Sequence, residues 1–140
     1  LYLVGRNPDG NNELFWLRWG ARTAQEFRIE KLLAIRETIE AVAGDGERTY
    51  VAIGKVVFSI SGKNVKALFV HPSEDIRELA FSGEAGLFYA TASEAGYVGS
   101  GHMLKFLETP NPSLRMRGGS LYVFLPSSQS VLRIEAGATP

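Results

Sequence analysis

Residues 39–75, IEAVAGDGERTYVAIGKVVFSISGKNVKALFVHPSED, can be laid over residues 76–112, IRELAFSGEAGLFYATASEAGYVGSGHMLKFLETPNP. Each block opens with an apolar strand, Ile39 to Ala43 and Ile76 to Phe81, that runs into a Gly-containing turn. An aromatic strand follows in both, Thr49 to Ile53 and Leu87 to Thr91, and then a third, Val56 to Ile60 and Tyr97 to Val98. A Gly turn and a fourth strand, Val65 to Val70 and Met103 to Leu107, complete the unit. At the exits Leu68, Pro72 and Ile76 recur as Phe106, Pro110 and Leu114, each displaced by 38 positions.

Working outward, Ser113 begins a third copy, SLRMRGGSLYVFLPSSQSVLRIE, that lacks only its fourth strand. Upstream, LYLVGR, ELFWLRWGA and EFRIEKLLAI supply three strands of an earlier unit. The runs are short, rich in Val, Ile, Tyr and Phe, and punctuated by Gly, Pro, Asn and Ser, which is the pattern of strands. Leu14 to Trp19 is apolar on both alternating faces and is expected to lie between two sheets. The predicted organisation is a single all-β domain over 1–140, with a partial unit at 1–38, full units at 39–75 and 76–112, and a partial unit at 113–136.

Four short antiparallel strands with Gly turns and a Pro at the exit resemble a blade of a β-propeller. The likeness spans nearly the whole chain and follows the form I-x-x-L-A-x-x-G…L-Y-x…G-Y-V of degenerate bacterial repeats. The Trp-Asp dipeptide, the kelch Gly-Gly pair and the Asp-box are not found in place. The resemblance implies a partial propeller of consecutive blades.

Residues 23–44 pull the other way. TAQEFRIEKLLAIRETIEAVAG has Thr23 and Glu26 at capping-box spacing and ends at Gly44. Leu32, Ile35, Ile39 and Val42 follow amphipathic helical spacing, so the alternative is an α+β fold with a helix at about 24–43. The strand reading is preferred because Ile39 to Gly46 aligns with Ile76 to Gly83.

Composition narrows the function classes. Of 140 residues, 45% are apolar, 11% aromatic and 21% charged, which reads as globular. Fifteen basic and fifteen acidic residues cancel, against the basic surplus of a nucleic-acid partner. No apolar run reaches the ~20 residues that span a bilayer as a helix, so no membrane insertion is expected. The absence of cysteine excludes disulfides and thiolate metal sites. It leaves the compartment open, with an extracytoplasmic setting preferred. The chain opens at Leu1 without a leader and reads as a piece of something longer.

The chemistry-bearing residues are sparse. His71 and His102 occupy non-equivalent positions and lack metal-ligand spacing, so each reads as a turn histidine. Asn7-Pro8-Asp9-Gly10-Asn11-Asn12-Glu13 lacks the pattern of a calcium loop and reads as a hairpin turn. Arg115 and Arg117 alternate with Leu114 and Met116, covering a face with their aliphatic stems. No catalytic residue, metal or cofactor is expected.

The expected function is a non-catalytic scaffold that binds a protein or extended ligand through one loop rim. That rim would present His71, Glu74, Asp75, Glu94, Asn111, Ser128 and Gln129. The rival is a fragment of a propeller-type enzyme, a metal-dependent lactonase or glycan-cleaving protein, with most of its catalytic groups elsewhere. Two incomplete units leave open sheet edges, so a protein partner, the remainder of a parent chain or a second copy is expected to cover them.

Overall fold

The computed structural model describes residues 1–19, 27–99 and 102–135. Among the described residues there are fourteen strands and no helix. They form four antiparallel sheets that follow one another along the chain. The first holds β1 (Tyr2–Arg6), β2 (Asn12–Trp19) and β3 (Phe27–Ile35). The second holds β4 (Ala41–Gly44), β5 (Thr49–Ile53), β6 (Val56–Ser61) and β7 (Asn64–Val70). The third holds β8 (Glu78–Ser82), β9 (Gly86–Ala90), β10 (Glu94–Gly99) and β11 (His102–Glu108). The fourth holds β12 (Ser113–Arg117), β13 (Ser120–Leu125) and β14 (Ser130–Glu135). Strand order within every sheet is the order of the chain, so each is a meander.

The all-β expectation holds, and the helical alternative does not. Phe27–Ile35 is a strand paired with β2, and Ala41–Gly44 is a strand paired with β5. Residues 24–26, where that helix would begin, lie outside the described residues. Helical propensity loses because β2 offers a ladder of backbone partners along the whole of β3, from Asn12↔Ile35 to Trp19↔Phe27. Turn chemistry reinforces the strands: β5–β6 and β6–β7 are joined at Gly54 (φ 58°) and Gly62 (φ 59°), left-handed positions that suit two-residue hairpins. Asn7 likewise closes the β1–β2 hairpin, its Oδ1 accepting from the N–H groups of Asp9 and Asn11.

Apolar cores sit between consecutive sheets. Leu14, Val51 and Ile60 fill the joint between the first and second sheets. Val57, Phe69, Leu87 and Tyr89 fill the next, and Phe88, Ala90, Leu114, Leu121 and Val123 fill the last. Alternation along the second strands makes this possible: Val51 faces back and Ala52 forward, Tyr89 back and Phe88 forward. The middle sheets therefore bury both faces. In the fourth sheet Leu121 and Val123 face back into the core, while Tyr122 and Phe124 point forward, where no described sheet follows. Strand β2 departs from expectation in the same way. Leu14 is fully buried against the second sheet, but Phe15 and Leu17 lie on a face with no described neighbour and are half-buried.

A register irregularity identifies which strands correspond. The ladder slips by one residue between β2 and β3, between β6 and β7, and between β10 and β11. The extra residues are Leu32, Leu68 and Phe106, each followed by a second apolar residue, Leu33, Phe69 and Leu107. No slip occurs in β1–β2, β5–β6, β9–β10 or β13–β14. Hence β3, β7 and β11 are fourth strands, and β2, β6, β10 and β14 are third strands. Among the described residues the first sheet has no counterpart of β4 and β8, and the fourth sheet has none of β7 and β11.

Candidate functional site

The exits from β7 and β11 fold back onto turns of their own sheets. The His71 N–H donates to the Lys55 carbonyl and the Ile76 N–H to that of Gly54. One unit later the Thr109 N–H donates to the Ser93 carbonyl and the Asn111 N–H to that of Ala92. This places residues 71–76, 91–94 and 109–111 together at two successive sheets, with His71, Glu74 and Glu94 at the joint between them.

Around His71 the side chains form one network. His71 is 1% exposed, whereas the sequence reading set it on the open rim; the Tyr89 ring packs 5.9 Å away, edge to face. Its Nδ1 accepts the backbone N–H groups of Ser73 (3.2 Å) and Glu74 (3.0 Å). Two donors converging on Nδ1 put the ring proton of the neutral imidazole on Nε2. That nitrogen faces Glu94 Oε1 at 3.3 Å, close but not aligned as a hydrogen bond. The other oxygen of Glu94 accepts the Tyr89 hydroxyl at 2.7 Å.

Glu74 completes the cluster from the loop after β7. Its Oε2 accepts the Thr91 hydroxyl at 2.6 Å, and the Ser93 hydroxyl donates to the carboxylate at 2.7 Å. The Thr91 and then the Ser93 hydroxyl hold the Glu74 carboxyl below the usual glutamate range. Burial, followed by the bond to Glu94, pushes the Tyr89 phenol above its ordinary value. Thr91 Oγ1 in turn accepts the N–H groups of Ser93 and Glu94, a local turn that fixes all three residues.

Ligand atoms of His71, Glu74 and Glu94 lie within 4.8 Å of one another, so a cation is the obvious candidate occupant. The donor set argues against it. Nδ1 is held by two backbone donors, and Nε2 would have to shed its proton to bind a metal, leaving an anionic ring. Both carboxylates already accept hydroxyl donors, Glu94 from Tyr89 of β9 and Glu74 from Thr91 and Ser93 of the β9–β10 turn. What this arrangement does is tie the exit of the second sheet to the third.

Polar anchors of different chemistry serve the other joints. The Tyr2 hydroxyl meets Thr49 Oγ1 at 2.9 Å and accepts the Gly46 N–H at 3.0 Å, joining the first sheet to the second. Glu78 Oε1 accepts the Leu114 N–H at 3.0 Å and the Ser113 hydroxyl at 3.2 Å, joining the third to the fourth.

The remaining residues expected on the rim do not join the cluster. Asp75 is exposed. Asn111 (φ 49°) accepts from the Arg77 guanidinium at 3.4 Å. Ser128 bonds Ser130 in the β13–β14 turn, where Gln129 takes a φ of 51°. A cleft of about 350 Å3 lined by Tyr50, Ser59, Leu87 and Tyr97 contains none of the seven. Neither does one of about 420 Å3 at Arg115, Met116, Arg117, Tyr122 and Phe124. Tyr89, Thr91 and Ser93 were missed at the sequence level; Thr91-Ala92-Ser93-Glu94 is the signal, a hydroxyl followed by two N–H groups it can cap.

No family model matches this chain, and no curated protein matches it. Among solved structures it is similar to the crystal structure of the computationally designed Ika4 protein, with a TM-score of 0.60 and 14% identity. The alignment covers 97% of this chain and 86% of that one. At that identity the likeness concerns the fold alone.

Proposed function

We propose that the four sheets are consecutive blades of a β-propeller, and that the chain is a non-catalytic interaction module. Its loop rim would bind a protein or an extended ligand. The blade reading draws on the meander order and on the way β8 touches both β4 and β12 while β7 touches β11, so that like strands run side by side. The non-catalytic reading rests on one observation. His71 Nδ1, both Glu74 oxygens and Glu94 Oε2 are engaged by the backbone, Thr91, Ser93 and Tyr89, and the remaining His71 Nε2 and Glu94 Oε1 face each other at 3.3 Å, whereas a general base or metal ligand needs a free lone pair aimed at open space.

The second reading, a fragment of a metal-dependent hydrolase, is favoured by the convergence of those three ligand atoms. Calorimetric titration of the metal-free chain with Ca2+ and then Zn2+ separates the two. No binding at micromolar concentration is expected. A micromolar isotherm that Glu94→Gln abolishes would replace the scaffold reading with the enzyme one.

A further inference from the structure

The joint between the second and third sheets is not filled along its whole length. Val57, Phe69, Leu87 and Tyr89 pack its middle. Toward the β4–β5 and β8–β9 turns, at the strand ends away from His71, the cleft of about 350 Å3 opens. That volume is in the range of small-molecule sites. Its walls belong to β4–β7 and β8–β11, the two four-stranded sheets, so the opening does not arise at an end of the chain.

The lining has a particular chemistry. Leu68, Leu87 and Val98 supply an apolar floor, and Tyr50, Ser59 and Tyr97 supply three hydroxyls. Tyr50 and Ser59 are cross-strand partners, so their side chains stand together on one face. The hydroxyls of Tyr2, Thr49, Tyr89, Thr91 and Ser93 are all hydrogen-bonded within the protein. Among the described residues those of Tyr50, Ser59 and Tyr97 have no such partner, and none of the three is shut away from solvent. Both tyrosine rings are nonetheless held in place. Tyr50 packs on Phe81 at 5.0 Å, and Tyr97 meets Phe88 edge-on at 5.5 Å. Tyr97 also lies across Gly86, where a Cβ would fall 2.9 Å from its ring. Rings and hydroxyls fixed before a ligand arrives lower the cost of binding it.

No lining residue of this cleft carries a charge. Arg48, close by, lies over the Phe81 ring at 4.8 Å and pairs with Asp45. A carboxylate or phosphate would find no free cation here, and an ammonium group no anion. A hydroxyl both donates and accepts, so three of them match a ligand that does the same. We propose that the cleft binds a neutral pyranose sugar. A pyranose with equatorial hydroxyls has an apolar C–H face for the tyrosine rings and the aliphatic floor, and a rim of hydroxyls for Tyr50, Ser59 and Tyr97. The site is at the other end of these strands from the His71 turn and does not depend on the rim reading.

The test is an NMR titration of the intact chain with methyl β-D-glucopyranoside, following backbone amides and tyrosine ring signals. Saturable shifts centred on Tyr50, Ser59, Leu87 and Tyr97 are expected, with a Kd on the order of 1 mM for one sugar ring. The double variant Tyr50→Phe/Tyr97→Phe keeps both rings and removes two hydroxyls, and should weaken binding about tenfold or more. Its own spectrum shows whether the fold is retained, and Ser59→Ala, which should also weaken binding, gives a second reading with the rings untouched. Glucuronate, the charged counterpart, should bind no more tightly than the glucoside. Shifts that do not saturate, affinity unchanged in both variants, or tighter binding of glucuronate would each overturn the proposal. Binding of indole without binding of the glucoside would overturn it as well and assign the cleft to a flat aromatic ligand.

Discussion

Phe88 and Phe124 both lie on second strands and both point forward, yet Phe88 is 6% exposed and Phe124 is 43% exposed. The difference lies in what stands in front of them. Phe88 meets Leu114, Leu121 and Val123 of the fourth sheet, and Phe124 meets no described sheet. The middle sheets are apolar on both faces and covered on both. The first and fourth are comparably apolar and covered on one, leaving Leu1, Leu3 and Ile29 at one end and Phe124 and Val131 at the other more than 40% exposed. A strand in this chain is thus not buried by its own pattern. Burial is conferred by the unit about 38 residues away.

The largest test of that contrast is truncation on the two kinds of face. Phe88→Ala is expected to cost ~3–5 kcal/mol, because it opens a cavity in a closed joint. Phe124→Ala should cost no more than about 1 kcal/mol. Urea unfolding of both variants checks this, and similar losses would mean that the forward face of the fourth sheet is covered in solution.

A smaller effect is expected from adding volume. A Cβ at Gly96 would fall 2.5 Å from the Tyr89 ring and 2.7 Å from the Leu104 carbonyl oxygen. Gly96→Ala should therefore cost ~1–3 kcal/mol through overpacking. At Gly5, in the first sheet, a Cβ meets nothing within 4 Å, and Gly5→Ala should stay within about 0.5 kcal/mol of the parent. An equal loss at both sites would erase the distinction between middle and end.

The smallest effect concerns the polar anchor of the central joint. The Glu74 carboxyl is held below its ordinary range by the Thr91 and then the Ser93 hydroxyl. A depressed native value adds stability that is present above the unfolded value and fades as pH falls through the native one. The parent chain should lose stability on acidification from neutrality to about pH 3 more steeply than Glu74→Gln. Chemical denaturation across that range measures it. Parallel curves would show that Glu74 adds nothing to the joint.

Much of the architecture was legible. Glycine at hairpin turns and short runs of Val, Ile, Phe and Tyr mark the strands, and the Leu68/Phe106 correspondence turns out to be the bulge that defines the fourth strands. Boundaries were less so: Ile39 and Ile76 precede β4 and β8 rather than opening them. Residues 27–35 carried a helical as well as a strand pattern, and nothing local separates the two. The site was the least legible part. His71 was picked out as a residue, but its burial and its link to Glu94 join positions 23 apart on two different sheets.

What the sequence by itself determined is therefore the set of strands, their meander order and the repeat length, since alternation and turn residues act within a few positions. What only the tertiary structure decided is which of two patterns wins at β3, which sheet faces are covered, and whether His71 is a surface ligand or a buried acceptor. Those outcomes depend on partners tens of residues away. A backbone ladder, a facing apolar layer and two convergent N–H groups exist only once the sheets have stacked.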